Sequence, residues 1–176
     1  MNFEAIMDYD ISLPVLEDLD GYKELIYVLP SSDESQKEAL ERMAGYFKKE
    51  FRYDHLQYCK ENHSENCIGI LFAERAMDIV KDEDEYHYPN RVVGGACFGK
   101  KESGEFFLDW VWLHPFSRNH KKLSSNWPKF QKKFGQFTVT APLSAHMASF
   151  LKKYEQQAQL SVPHVLQSNN TSYSQP

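Results

Sequence analysis

The chain has 176 residues, a formal net charge of -5, three cysteines and a mean hydropathy of -0.60. This length fits one domain with a sizeable core, and no apolar run approaches the ~20 residues of a membrane helix. Three cysteines do not make the disulfide framework of a secreted protein, and the acidic beginning of the chain is unlike a signal peptide. We therefore expect a cytoplasmic protein that does not associate with membranes.

The charges are distributed unevenly along the chain. Residues 1–109 carry 24 acidic and 12 basic side chains, whereas residues 110–154 carry eight basic side chains and no acidic one. Such an asymmetry indicates that the second region meets an anion, or that it presents a solvated basic face.

The first half of the chain predicts two strands around a helix. An apolar run over 24–30 and another over 67–73 are typical of strands. Between them, apolar residues recur at steps of three and four over 35–52, which predicts a helix. Ser35 and Glu38 have the spacing of a capping box and place its start.

The second half predicts a hairpin followed by two helices. Strands are expected over 92–98, 105–114 and 136–140, an exposed acidic loop over 81–88, and helices over about 125–134 and 144–154. Ser124 or Ser125 is expected to cap the first of these helices, Gly135 to end it and Ser144 to cap the second. The order predicts a mixed α/β sheet with helices packed on it.

A strand–loop–helix junction lies inside the acid-free region. The strand ends in Leu113-His114-Pro115, and a basic loop, Arg118-Asn119-His120-Lys121-Lys122-Leu123, leads into the next helix. The start of a helix directs free backbone N–H groups and a positive dipole end to one point, which suits a phosphate group. The junction therefore indicates an anion site.

At these residues the chain resembles the GNAT superfamily of N-acetyltransferases. In that family the central strand ends in Val-x-Pro and the loop reads Arg/Gln-x-x-Gly-x-Gly/Ala. Lys121 and Leu123 stand at the two glycine positions, so the chain looks like a divergent member, similar to bacterial ones with a Trp-Pro such as Trp127-Pro128 in the helix. The resemblance implies a mixed, mostly antiparallel central sheet flanked by helices, in one domain over 1–158. The polar segment 159–176 is expected to be a disordered tail.

The resemblance also implies a reaction and a coenzyme site. Acetyl-CoA would be the co-substrate, no metal would take part, and an amine would attack the thioester directly. The acidic first part of the chain suggests a cationic amine by charge complementarity, and either a monomer or a homodimer is expected. The residues implied for the coenzyme are Leu113, His114, Arg118, Asn119, His120, Lys121, Lys122 and Leu123.

Two residues are candidates for proton transfer. Asp109 lies in mid-strand among apolar neighbours, where burial would raise its pKa toward that of a usable base, unless it pairs with a lysine of the basic region. Strand alternation places it on the side of Val111 and Leu113. The family often has a tyrosine on its last helix; Phe150 matches that position here, and Tyr154, one turn later, is the candidate acid.

A repeat of possible metal ligands precedes the second strand. His55, Cys59, His63 and Cys67 recur at four-residue steps. On one helix they would form a stripe about 18 Å long, too long for a single zinc ion. We therefore predict no metal here, and we predict that Cys97 is a small buried hydrophobic residue rather than a nucleophile.

Three function classes remain open on the sequence. The first is an acyl-CoA-dependent N-acyltransferase. The second is a GNAT-like binding or interaction protein without catalysis, which the missing glycines and Phe150 favour. The third is a protein that contacts RNA or DNA through residues 110–154, which the overall acidity makes the least favoured.

Overall fold

The computed structural model describes residues 10–17, 21–79 and 89–160, and for 157–160 it describes the backbone only. The predicted loop 81–88 and the segment 161–176 of the predicted tail lie outside the described residues. The chain divides into two compact units, Met1–Thr140 and Ala141–Pro176. The elements are β1 (Val15–Leu16), β2 (Leu25–Val28), α1 (Glu34–Phe51), β3 (Cys67–Arg75), β4 (Asn90–Lys100), β5 (Phe106–Leu113), α2 (Lys122–Phe134), β6 (Thr138–Val139) and α3 (Ala145–Leu160).

The first unit is built on one sheet with the strand order β2-β3-β4-β5-β6. All these neighbours are antiparallel except β5 and β6, which run parallel, and the short β1 pairs with the start of β4. The β4–β5 hairpin is the one that the sequence predicts. The sheet is therefore mixed and mostly antiparallel, as expected.

Helix α1 covers one face of the sheet because its apolar residues recur at helical spacing. Leu40 and Met43 on this helix are fully buried. They approach the strands where the strands have no side chain: a Cβ at Gly69 would collide with Leu40, and one at Gly95 would lie 2.8 Å from Met43 Cβ. Glycine at these two positions lets the helix pack closely on the sheet.

Helix α2 covers the opposite face. The ring of Phe130 lies 6.2 Å from that of Phe72 and 5.5 Å from that of Phe98, and Phe134 stacks on Phe98 at 4.1 Å. These strand residues alternate with the ones that meet α1. Helices thus flank both faces, and the predicted fold class is confirmed.

The structure corrects two predicted helix starts. Asp33 rather than Ser35 occupies the N-cap of α1, and the Glu38 carboxylate accepts a hydrogen bond from Lys60 instead of closing a capping box. Helix α2 begins at Lys122, ahead of the predicted serine caps, with Lys121 at its N-cap. The Ser144 hydroxyl does cap α3, accepting from the Met147 N–H at 3.1 Å.

None of the helices in the described ranges has the length and apolarity needed to cross a membrane.

Candidate active site

A β-bulge turns the Asp109 side chain. Cys97 of β4 pairs with Trp110 of β5 and the next residue, Phe98, pairs with Leu108, so Asp109 has no partner in β4. An extra residue of this kind interrupts the alternation of faces. Asp109 lines a cavity together with Cys97, while Trp110 packs in the same core cluster as Cys97. The side chains of the consecutive residues Asp109 and Trp110 therefore both face the side of the sheet that α1 covers.

This bulge corrects the expected arrangement of faces. Strict alternation would place Asp109 with Val111 and Leu113. Beyond the bulge, the core face of β5 is formed by Trp110 and Trp112 instead. Only a register read from the structure reveals the change, because a bulge leaves no clear mark in the alternating sequence.

The cavity beside Asp109 has a volume of about 390 Å³. Its wall is formed by the segment before β3 and by the neighbouring ends of β3, β4 and β5. Both apolar and polar groups face it, as in most small-ligand sites. The lining residues are Leu56, Gln57, Tyr58, Cys59, Asn62, His63, Cys67, Cys97, Gly99, Phe107 and Asp109.

Asp109 is a half-buried carboxylate without a neutralising partner nearby. Within the described part of the chain, no cationic side chain lies within ion-pair distance of it. Burial raises the pKa of Asp109, and the more distant His55 opposes that rise only in part. A carboxylate held in this way is a better proton acceptor than one in water.

The strands β5 and β6 separate next to Asp109. They pair only at Phe107 with Thr138 and Leu108 with Val139, followed by a bond from the Thr140 N–H to the Leu108 carbonyl. From Asp109 to Leu113, β5 pairs with β4 alone among the described strands. Its other edge is open there to an extended chain with amide groups.

The end of β5 is held by a charged cluster. The Arg118 guanidinium donates to both carboxylate oxygens of Glu50, at 2.8 and 2.5 Å, and its Nε donates to the Leu113 carbonyl at 2.8 Å. The Trp112 Nε1–H donates to the same carboxylate at 2.7 Å. The bidentate pair ties the loop to the last turn of α1.

His114 closes the strand as a neutral imidazole. Burial lowers its pKa, and the Arg118 charge acts in the same direction. Its Nδ1 accepts a hydrogen bond from the Phe116 N–H at 3.3 Å. The ring therefore helps to shape the turn that follows β5.

The loop itself adopts a conformation suited to glycine. Asn119 and Lys121 have φ angles of 64° and 60°. Lys121 thus has the left-handed conformation that glycine adopts most easily. The start of α2 has no side-chain cap, which leaves its first N–H groups for another acceptor. Such an arrangement of backbone N–H groups can accept a phosphate group.

Part of the basic region is neutralised by the acidic first part of the chain. Arg118 pairs with Glu50. The Lys122 ammonium, with its side chain only 12% exposed, lies 2.8 Å from Glu74. The Lys129 ammonium lies 3.4 Å from Glu24. These bases serve the fold, whereas Asn119, His120 and Lys121 are exposed.

The predicted proton donor lies in the second compact unit. Tyr154 is half-buried in α3, and its ring lies 5.9 Å from that of Phe150. Its catalytic role stays a prediction.

The segment before β3 forms part of the cavity wall, a role that the sequence did not predict for it. The repeat His55–Cys67 does not lie on one helix, since only Lys60–Asn62 form a short 3₁₀ helix, and no cluster of three metal-ligating side chains occurs in the described ranges. Instead, His63 Nε2 donates to the Cys67 carbonyl at 2.9 Å, so its Nδ1 accepts the Tyr58 hydroxyl at 3.0 Å. The sequence signal for this wall was the repeat itself, because Cys59, His63 and Cys67 all line the cavity.

Comparisons with known proteins give likenesses to solved structures only. No family model matches the chain, and no curated protein matches it. It is similar to a ribosomal-protein-alanine N-acetyltransferase from Brucella melitensis biovar Abortus 2308, with 12% identity over 86% of this chain and 96% of that one and a TM-score of 0.41. An aminoglycoside acetyltransferase from an uncultured soil metagenomic sample has 11% identity, coverages of 85% and 95%, and a TM-score of 0.45.

A third similar structure is an acetyltransferase of the GNAT family from Desulfovibrio desulfuricans. It has 14% identity, covers 76% of this chain and 83% of its own, and has a TM-score of 0.39. Such values indicate neither an activity nor a substrate. In its own strand order, mixed pairing and flanking helices, the chain has the GNAT-type fold that the sequence predicts.

Proposed function

We propose that the protein transfers an acyl group, acetyl in the simplest case, from coenzyme A to an amine. One observation carries the proposal: the bulge in β5 directs the unneutralised Asp109 carboxylate into a cavity beside the open edge of the same strand. An acyl donor along that edge and an amine in the cavity would meet at Asp109. Positioning of two reactants in this way supplies much of the rate of such a reaction.

The donor site combines the open edge with the loop. Backbone groups along the open edge of β5 would bond to the amide groups of the donor's pantetheine arm, apart from the Leu113 carbonyl, which already accepts from Arg118. The N–H groups at the start of α2 would bind its pyrophosphate, and the exposed Lys121 would add a positive charge. Arg118 is committed to Glu50, so in this proposal it positions the loop rather than contacting phosphate.

The Asp109 carboxylate would serve as the general base. An amine arrives as an ammonium ion and is held by the negative charge. Transfer of one proton to Asp109 frees the nitrogen lone pair, which attacks the thioester carbonyl; the C–S bond then breaks and the thiolate takes up a proton. The raised pKa of Asp109 suits this acceptance. Tyr154 remains the predicted donor of the second proton.

Calorimetric titration with acetyl-CoA tests the donor site. We expect saturable binding and a melting temperature that rises with ligand concentration by mass action. Lys121→Glu should weaken binding, whereas Lys101→Glu in the exposed β4–β5 turn makes the same charge change away from the site and should not. Absence of binding at millimolar acetyl-CoA would overturn the proposal. Binding without transfer to any amine would instead favour the non-catalytic alternative.

A further inference from the structure

Two cysteines lie side by side on the wall of the Asp109 cavity. Cys67 is the first residue of β3 and pairs with Gly99, while Cys97 pairs with Gly69. The two cysteines are therefore diagonal neighbours on adjacent strands, and both line the cavity. The proposed acyl transfer uses neither of them.

The two thiols differ in exposure and in hydrogen bonding. Cys97 is only 4% exposed, whereas Cys67 is half-buried. The neighbouring Cys97 thiol lowers the pKa of Cys67, while burial and the Asp109 charge oppose that change. The neighbouring Cys67 thiol and burial raise the pKa of Cys97, whose Sγ donates to the Phe98 carbonyl at 4.0 Å. Cys67 is thus the better nucleophile of the two, and the Cys97 thiol lies next to it on the adjacent strand.

The third cysteine provides an internal comparison. Cys59 also lines the cavity and is similarly accessible, but its Sγ lies 3.9 Å from the Glu61 carboxylate. A reagent that enters the cavity therefore meets two accessible thiols in different surroundings.

We propose that Cys67 and Cys97 form a thiol pair that reacts reversibly with a hydroperoxide. Cys67 sulfur attacks the peroxide, so that an S–O bond forms, the O–O bond breaks and water or an alcohol leaves. The Cys97 thiol then attacks the resulting sulfenic acid, and a disulfide forms as water leaves. Accessible thiols with a resolving cysteine beside them follow this course. A small thiol reductant restores both residues.

The position of Cys67 permits the movement that the bond requires. The two sulfurs must approach to ~2.05 Å to form a disulfide. Cys67 begins β3 and is preceded by the irregular segment that ends in a bond from its N–H to the Ser64 carbonyl. The bridge would join the start of β3 to β4 in the wall of the cavity that Asp109 also lines.

The test uses the full chain and hydrogen peroxide at a few molar equivalents, followed by alkylation of the remaining thiols and peptide mapping by mass spectrometry. We expect loss of two of the three alkylatable thiols, a mass lower by two hydrogens, and one linked peptide pair that contains Cys67 and Cys97. Dithiothreitol should restore three thiols. No acyl acceptor is involved, so this result is independent of the proposed acyl transfer.

Two variants sharpen the assignment. Cys59→Ser should leave the disulfide unchanged. Cys97→Ser should stop the reaction at a sulfenic acid on Cys67, which a dimedone adduct records. Wild-type protein that retains three thiols, a disulfide that includes Cys59, a linkage between two molecules, or stable oxygen adducts on Cys67 without the bridge would each overturn the proposal.

Discussion

Two half-buried carboxylates have different surroundings. Glu50 of α1 lies beside the end of β5, whereas Asp109 belongs to the middle of β5. Glu50 accepts three hydrogen bonds, two from Arg118 and one from Trp112. Asp109 is also half-buried, yet it has no ion pair among the described residues. The Glu50 carboxylate is neutralised by Arg118 and stabilises the loop, whereas the Asp109 carboxylate has no such partner and is open to a ligand. Satisfied buried charges support a fold, and unsatisfied ones indicate a functional site.

The largest effect is expected from Asp109→Asn, which removes the proposed base and preserves its shape. Turnover should fall by about 10²–10⁴-fold, while the affinity for acetyl-CoA should stay unchanged because the proposed donor site lies elsewhere on β5. Steady-state rates and calorimetry measure the two quantities. The control is Glu105→Gln, at an exposed position just before the strand. Equal rates for Asp109→Asn and the wild type would remove Asp109 from the mechanism.

The second largest effect is expected on stability, from a substitution of Glu50. Glu50→Gln should lower the free energy of unfolding by about 2 kcal/mol, because the Arg118 charge loses its ionised partner. Urea denaturation measures this value. Glu105, whose partner Lys101 lies 3.9 Å away at the surface, gives a control, since Glu105→Gln should change stability by less than about 0.5 kcal/mol. Equal losses of unfolding free energy in the two variants would show that the Glu50–Arg118 pair does not stabilise the fold.

A smaller effect is expected at Lys121, where two variants distinguish the strain of the backbone conformation from the loss of the side-chain charge. Lys121→Gly should raise the free energy of unfolding by about 1 kcal/mol, since the left-handed conformation no longer strains a Cβ. Lys121→Ala removes the same charge but keeps the Cβ and should bring no gain. Thermal or urea denaturation of both variants is the measurement. A similar change in the two would mean that the conformation at Lys121 costs nothing.

The smallest effect is the pH dependence that Asp109 adds to stability. Its pKa is raised in the folded state, so the folded state binds the proton more tightly than the unfolded one, whose pKa is about 3.9. The contribution therefore favours folding at low pH and is lost as the pH rises through the raised pKa. Asp109→Asn should gain stability relative to the wild type over that interval. A relative loss would contradict the burial argument.

Much of the fold was predictable because local sequence patterns determine where most strands and helices form. The apolar runs located β2, β3, β4 and β5, and the three helices appear where apolar spacing and the end signal Gly135 place them. The helix starts were wrong where tertiary contacts override local signals. Glu38 bonds to Lys60, which no capping rule includes, and Lys121 takes the N-cap in place of a serine.

The candidate site was predictable only in part. Asp109 is in a cavity, as its apolar neighbours suggested, but it faces away from Val111 and Leu113. The charge asymmetry led to the loop, although three of the eight bases in that region are paired with acids of the first part. Such pairings join residues far apart in sequence, so no local pattern contains them.

The sequence by itself determined the class of fold, the strand–loop–helix junction and the presence of a carboxylate in the middle of an apolar strand. Hydrophobic periodicity and turn residues act over short distances, which is why these features can be read without a structure. The tertiary structure alone decided which charges are neutralised, that a bulge turns Asp109 into the cavity, and that Cys67 and Cys97 meet. Each of these depends on register and packing between distant segments.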